Sequence, residues 1–309
     1  MSAYALRMLD LHRLTLLREL SLRGTIAAVA ENTGVSASAI SQHLATLERE
    51  AGVPLLRRTG RTLTLTPAAL RLVERTEELL ATMEVAQAEL RDPAKDLAGT
   101  VRLAVFQSAA LTLIPGALLR LRGDHPQLRV VMTQREPAAA LADTAARDFD
   151  VVVAEEYPHH SAPHYANIER MPLTHDEILL AIPRSGPFCG ITRLADAGKA
   201  EWIMEPSGAA SRHFAEQACR VGGFEPDVRF ETADLQAHAH LVEEGLGVAL
   251  IPGLMWRSRS IHANAVELDG NPHRTVFTAV RRSARRSPAV EAVRQALRDQ
   301  AQALAIPVR

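Results

Sequence analysis

Cysteine is scarce in this chain, with Cys189 and Cys219 the only two among 309 residues. Two cysteines do not make the disulfide framework of a small secreted protein. Because no cations cluster beside both, we expect spectator thiols rather than a redox pair. Charged residues interrupt the N-terminal segment, which excludes a signal peptide, and no apolar stretch is long enough to span a membrane. We therefore expect a cytoplasmic protein with no membrane partner.

Catalytic motifs are missing as well. No Ser-centred elbow, P-loop or paired-carboxylate motif is present, so the sequence offers no catalytic residue and no cofactor site, and an enzyme is not predicted. Gly245 and Gly247 follow a predicted helix and precede a predicted strand, the reverse of the order in a dinucleotide-binding loop. His159, His160 and His164 have a spacing that a metal could use. They lie in a loop with no nearby cysteine, however, and we expect no metal ion there.

Lysine occurs only at positions 95 and 199, so almost all cations are arginines. Arginine suits phosphate contact, although a GC-rich genome is the simpler explanation of this usage. The net charge of −1 does not indicate a polyanionic partner for the whole chain. Residues 1–72, however, contain nine arginines against five acidic residues, a net charge of +4. Only the N-terminal part is therefore basic.

The segment from residue 25 to 51 predicts two helices separated by a four-residue turn. Thr25 is the N-cap of the first helix, Gly34 takes the positive φ that ends it, and Ser36 caps the second helix. The second helix has an apolar stripe of Ile40, Leu44 and Leu47 and a polar opposite face. This pattern predicts a helix-turn-helix unit, with an αα-hairpin in a larger helical domain as the alternative.

DNA binding is predicted from the polar face and from the segment that follows it. Hydroxyls and amides can pair with base edges, and few carboxylates are present to repel phosphates. Residues 53–65 predict a hairpin whose arginines would reach the phosphate backbone or the minor groove. The candidate base-reading residues are Ser36, Ser38, Ser41, Gln42, His43 and Thr46. The candidate phosphate-binding residues are Arg57, Arg58 and Arg61.

Five segments in this order resemble the LysR-type transcriptional regulators: residues 27–30, 35–41, 47–56, 58–61 and 65–69. The chain departs from the family pattern at Gln42, Leu56 and Ala69, where arginine, phenylalanine and glycine are common. The resemblance implies an α/β protein with an all-α N-terminus. Its parts would be a winged helix-turn-helix domain, a long linker helix and a two-lobed effector domain like a periplasmic binding protein. It also implies a homotetramer built as a dimer of dimers.

Residues 67–91 predict the linker helix, of about six turns. Its apolar residues alternate by three and four positions as a heptad seam, namely Ala69, Leu72, Thr76, Leu79, Met83, Ala86 and Leu90. We expect two copies to pair along this seam, which would hold two DNA-reading heads over a two-fold related site. The alternative is that the seam packs against the protein's own domain.

After residue 99 predicted strands alternate with helices, which favours parallel, doubly wound sheets in two subdomains. The predicted boundaries are a DNA-binding domain at 1–66, the linker helix at 67–91, a hinge at 92–99 and an effector domain at 100–309. Within the effector domain, lobe 1 would comprise about 100–170 and 271–309, and lobe 2 about 171–270.

In such folds ligands bind beyond the carboxyl ends of strands, at helix N-termini. Applied here, this rule selects Gln107, Ser108, Glu136, Glu205, Ser207 and Thr232 as candidate effector-binding residues. Ser108 is the leading candidate, although serine before a helix is more commonly a simple N-cap. The predicted function is a regulator that binds double-stranded promoter DNA under the control of a small-molecule effector, with RNA polymerase as a further candidate partner. The alternatives are a ligand-independent architectural DNA binder and a DNA-tethered enzyme or binding protein.

Overall fold

The computed structural model describes residues 8–59, 62–89 and 97–304. The chain divides into two compact units, residues 1–90 and 91–309. Arg61, Leu90 and most of the predicted hinge, residues 92–96, lie outside the described residues. No helix in the described ranges is long and apolar enough to cross a bilayer.

The first unit contains three helices, a two-stranded hairpin and a long fourth helix. These elements are α1 Leu11–Arg23, α2 Ile26–Thr33, α3 Ala37–Ala51, β1 Leu56–Thr59, β2 Thr62–Leu65 and α4 Pro67–Glu89. The caps predicted for the helix-turn-helix pair are confirmed. Thr25 accepts a hydrogen bond from the N–H of Ala28, Ser36 accepts one from that of Ala39, and Gly34 has a φ of 70°.

One hydrophobic core joins α1, α2 and α3. It is formed by leucines of α1, by Val29 of α2 and by the predicted stripe of α3. Ile40, Leu44 and Leu47 are at most 1% exposed, so the stripe faces inward and the polar side of α3 is left at the surface. The periodicity of the sequence thus determines which face of α3 lies at the surface.

The seam of α4 is buried in the first half of the helix and partly exposed in the second half. Its first half packs against α1, so that Ala69 and Thr76 are fully buried within their own domain, as in the alternative considered above. These two residues cannot pair two copies, which corrects the prediction for the N-terminal half of the helix. In the second half, Leu79 and Met83 remain 49% and 45% exposed.

The second unit has nine strands and seven α-helices among its described residues. They are β3 Gly99–Val105, α5 Gln107–Thr112, α6 Ile114–Asp124, β4 Leu128–Gln134, α7 Pro137–Ala145, β5 Val151–Glu156, β6 Ile168–Ile182, β7 Glu201–Met204, α8 Ala210–Val221, β8 Asp227–Glu231, α9 Leu235–Glu243, β9 Ala249–Pro252, α10 Gly253–Ser258, β10 Asn264–Glu267, β11 His273–Arg281 and α11 Pro288–Ala303. A short 3-10 helix, Leu194–Lys199, precedes β7.

The sheets are only partly parallel, which corrects the prediction. Strand β3 pairs in parallel with β4 and β5, and β7 pairs in parallel with β8. Strand β11 is antiparallel to β5 and β6, and β6 is antiparallel to β9 and β10. The cause is the 15-residue strand β6, which pairs with β11 through its first part and with β9 and β10 through its last.

Strand β6 therefore runs from one half of the unit into the other. We use lobe 1 for the half around β3–β5, with α5–α7 and α11, and lobe 2 for the half around β7–β10, with α8 and α9. Lobe 1 has cores on both faces of its sheet, and lobe 2 has two cores of its own, one centred on Trp202 and one on α9. The carboxyl ends of β4, β5 and β7 approach one cavity, which positions the site described next.

Candidate DNA-reading face and inter-lobe cavity

The polar side of α3, here called the DNA-reading face, contains the six predicted base-reading residues. Ser36, Ser38, Ser41 and Gln42 are exposed, while His43 and Thr46 are half-buried. Ser36 Oγ lies 3.2 Å from Ser38 Oγ and also accepts the N–H of Ala39 at 3.3 Å. Ser36 is thus partly used in capping the helix. Ser41 and Gln42 are exposed and have no side-chain hydrogen-bond partner among the described residues.

The two half-buried residues have neighbours that fix their orientation. The His43 ring packs edge-on against His12 of α1, with ring centroids 5.3 Å apart. Thr46 Oγ1 accepts a hydrogen bond from Arg49 at 2.8 Å. The ring contact gives His12 a structural role beside α3.

The hairpin β1–β2 is the wing of the domain. Arg57 and Arg58 are exposed on it, and Arg61 lies outside the described residues. The carboxylate of Glu48 accepts the N–H groups of Leu55 and Leu56 at 2.8 and 2.9 Å, which ties the start of the wing to α3. The sequence did not reveal this contact, because nothing local marks a carboxylate that bonds to backbone seven and eight residues later.

A cavity of about 310 Å³ lies between the two lobes. Of the predicted effector-binding residues, Glu136, Glu205 and Ser207 line it. Glu136 follows β4 and is the N-cap residue of α7, while Glu205 and Ser207 follow β7. Glu155, His160 and Ser211 also line the cavity and were missed. Glu155 could have been found, because it stands at the carboxyl end of β5, where the same rule applies.

The other three predicted residues do not line this cavity. Ser108 is fully buried, and its Oγ accepts a hydrogen bond from Arg274 at 2.7 Å. Thr232 caps the turn before α9, with its hydroxyl accepting the N–H of Asp234 at 3.2 Å. Gln107 connects the lobes. Its Nε2 donates to Asp234 Oδ1 at 2.6 Å and its Oε1 accepts the N–H of Leu235 at 2.8 Å.

Arg274 is the centre of a buried charge network beneath the cavity. It donates to Asp176 at 2.8 Å, and it also donates to Glu155, which lines the cavity. One guanidinium is thus shared by two carboxylates. Burial raises the pKa of Glu155 to about 7 in spite of Arg274, with Glu205 and Glu136 adding to the increase. Desolvation also raises the pKa of Glu136 and of Glu205.

The weaker signals of the sequence have ordinary structural explanations. Gly245 has a φ of 78° at the end of α9, and a Cβ on Gly247 would lie 2.5 Å from the carbonyl oxygen of Glu201. Among the described residues, no three His, Cys, Asp or Glu side chains are grouped to hold a metal ion. Cys189 is exposed, Cys219 is buried, and burial raises the pKa of Cys219 to about 12.

A winged helix-turn-helix domain followed by a two-lobed α/β domain defines a class of ligand-responsive DNA-binding proteins. Comparison with family models agrees. Residues 11–70 match the bacterial regulatory helix-turn-helix protein, lysR family, and residues 94–302 match the LysR substrate binding domain. The chain belongs to the LysR family of DNA-binding transcriptional regulators, which have an effector-binding domain.

Characterised relatives and solved structures are similar along most of their length. The transcriptional dual regulator GltC of Bacillus subtilis is 26% identical over 246 residues, which is 79% of this chain and 81% of GltC. The malonate utilization transcriptional regulator of Klebsiella pneumoniae is 26% identical over 251 residues, 80% of this chain and 79% of the relative.

The fold is similar to that of a full-length OxyR variant from Pseudomonas aeruginosa, with a TM-score of 0.70 and 18% identity over 94% of this chain and 95% of that one. Full-length CbnR complexed with its target DNA gives a TM-score of 0.54 at 20% identity, over 94% of this chain and 99% of that one.

Proposed function

We propose that α3 enters a major groove of promoter DNA and reads bases through Ser41 and Gln42, with Ser36, Ser38, His43 and Thr46 in supporting contacts. The observation that supports this most is the polarity of the exposed face of α3, whose opposite stripe is buried in the core. Hydroxyl and amide groups are suited to base edges in the major groove. Arg57, Arg58 and Arg61 of the wing would neutralise phosphates.

We propose further that the protein acts as a homodimer paired through the second half of α4, and as a homotetramer of two such dimers. Leu79 and Met83 supply the apolar surface for the first pairing. For the second, β4 ends the order of strands in its sheet and exposes Val131 and Met132. A small-molecule effector would bind in the inter-lobe cavity and shift the spacing of the DNA-reading heads, with RNA polymerase as the downstream partner. We propose that the protein is a regulator without catalytic activity and that it acts in the cytoplasm, where promoter DNA is available.

The test is operator selectivity in a DNA-binding assay with purified full-length protein. In Ser41→Ala/Gln42→Ala, we expect the preference for the protein's own promoter over random duplex to fall by about 10-fold or more, since a good base contact is worth about 1–3 kcal/mol. Gln87→Ala, an exposed site on α4, should leave the preference unchanged. If the double variant keeps full selectivity, α3 does not read the promoter.

A further inference from the structure

We propose that the inter-lobe cavity binds a small organic cation, a compound with at least one protonated amine that Glu136, Glu155 and Glu205 hold. This inference rests on the proposed function, since it names the chemical class of effector for the same cavity.

The charge of the lining is the first reason. In the part of the chain that the structure describes, the cavity is lined by three glutamates and by one histidine, His160, but by no arginine or lysine. The glutamates are close enough for Glu136 and Glu205 to raise the pKa of Glu155, and for Glu136 to raise that of Glu205. An anionic effector would be repelled here, whereas a cation would relieve the repulsion.

Two arginines that donate to glutamates of the cavity lining are already engaged. Arg274 lies beneath Glu155 and donates to Asp176 at 2.8 Å as well as to Glu155. Arg212 donates to Glu216 at 2.6 Å and to the carbonyl oxygen of Glu205 at 3.1 Å. Arg274 cannot take a ligand carboxylate as its partner without breaking these bonds, and the charge of Arg212 is already paired with Glu216 and Glu231.

A buried histidine gives a second, independent reason. His238 is 2% exposed and lines a pocket of about 20 Å³, together with Arg212, whose charge is paired as described above. The pocket shares Glu205 and Ser211 with the larger cavity. Its Nε2 lies 2.8 Å from the carbonyl oxygen of Thr232, so Nε2 carries a proton. Burial lowers the pKa of His238 and favours the neutral imidazole, in which Nδ1 is an acceptor. Nδ1 has no hydrogen-bond partner among the described residues. An unpaired acceptor beside a carboxylate favours a ligand group rich in N–H donors, and a pocket of this size admits one water or one ammonium head.

Two helix N-termini at the cavity contribute positive charge, and the size of this charge can be compared with that of the three carboxylates. Glu136 is the N-cap residue of α7 and Ala209 is that of α8, and both residues line the cavity. Each helix end is equivalent to roughly +0.5 charge, so together they offset about one of the three carboxylates. The cavity therefore stays negative even when one glutamate is protonated.

The experiment is a thermal-shift and calorimetric comparison on full-length protein. The probes are butylamine, putrescine and benzylamine, set against butyrate, succinate and benzoate. We expect the amines to raise the melting temperature and the acids to leave it unchanged. Glu136→Gln/Glu205→Gln should weaken amine binding by about 10-fold or more, because each lost contact is a hydrogen bond to a charged group. Glu267→Gln, an exposed carboxylate on β10, should have no effect.

Stabilisation by the acids, or by none of the probes, would overturn the assignment of a cation site, as would equal amine binding by the double variant. Promoter binding by the unliganded protein is measured in parallel. If promoter selectivity is intact while the amines fail, only the effector class is wrong. If promoter selectivity is absent, the proposed function itself fails.

Discussion

At the scale of single residues, Glu155 in the lining of the inter-lobe cavity makes the stability of the fold depend on pH. The pKa of Glu155 is raised to about 7, so the folded chain binds a proton there that the unfolded chain releases at lower pH. The stabilisation is complete below the unfolded pKa near 4.5 and is lost as the pH rises through about 7. The charged and titratable groups that act on Glu155 are Arg274, Asp176, Glu205, Glu136 and Tyr157.

We expect Glu155→Gln to remove this part of the pH dependence. The free energy of unfolding of the wild type relative to the variant should fall between pH 5 and 8, by at most about 3 kcal/mol. Urea unfolding at several pH values measures the difference, in which the contributions of carboxylates that do not interact with Glu155 cancel. Parallel curves for the two proteins would show that Glu155 titrates normally. Glu267→Gln, outside the cavity, should follow the wild type.

The role of a side chain was predictable where its hydrogen-bond partner lies within a few positions in the sequence. It was not predictable where the partner is distant. Thr25, Gly34 and Ser36 were identified correctly, because each cap and its hydrogen-bond partner are three or four residues apart. Ser108 was expected at a cleft, but its hydroxyl is bonded to Arg274, 166 positions away. No pattern around residue 108 encodes that distance. The same limitation concealed Glu48 and the network under Glu155.

At the scale of elements, α4 divides into a half committed to its own domain and a half with exposed apolar residues. Leu79 and Met83 are the candidates for pairing two copies. We expect Leu79→Glu/Met83→Glu to weaken the dimer by at least about 10-fold, because each half-exposed side chain contributes on the order of 1 kcal/mol on burial and the new charges face each other. Light scattering over a range of protein concentrations measures the mass.

The matched control on the same helix is Ala88→Glu, nine residues and about 180° around the axis from Leu79. It adds one of the two carboxylates, away from the seam, and should remain dimeric. Dissociation of both variants alike would indicate that charge on α4, rather than its seam, governs assembly. An unchanged mass for the Leu79 and Met83 variant would exclude the seam.

Periodicity predicted which segments of the effector domain are helices and which are strands. It did not predict which strands pair in parallel and which pair antiparallel. The sequence predicts a helix at residues 288–303, which are the bounds of α11, and strands at 128–133 and 275–280, within two residues of β4 and β11. For β6 it predicts a strand only from residue 178, since Pro172 and several polar residues interrupt the pattern of residues 168–177. That omission hid the strand that joins the lobes, and with it the antiparallel half of the sheet.

At the scale of the whole effector domain, Gln107 is a latch between the lobes. It contacts the N-cap Asp234 and the N–H of Leu235 at the start of α9, so both bonds must break when the lobes separate. The bond from Gln107 is also the first cause of the lowered pKa of Asp234. A ligand that binds one arrangement of the lobes more tightly than the other would shift the equilibrium between them by its difference in affinity. The bonds of Gln107 determine the ratio of the closed to the open arrangement before the ligand binds.

We expect Gln107→Ala to favour the open arrangement by about 1–2 kcal/mol, the value of two partly exposed hydrogen bonds. Hydrogen exchange of the amide of Leu235 should accelerate, because its acceptor is removed, while amides in the core strand β5 keep their protection. Gln236→Ala, an exposed glutamine on the same helix, should leave the exchange of Leu235 unchanged. Because the cavity has walls from both lobes, the same Gln107 variant should also bind an effector more weakly. Slow exchange at Leu235 in Gln107→Ala would mean that the bond from Gln107 does not protect this amide, and the coupling between effector and DNA-reading heads would then have to act through another part of the interface.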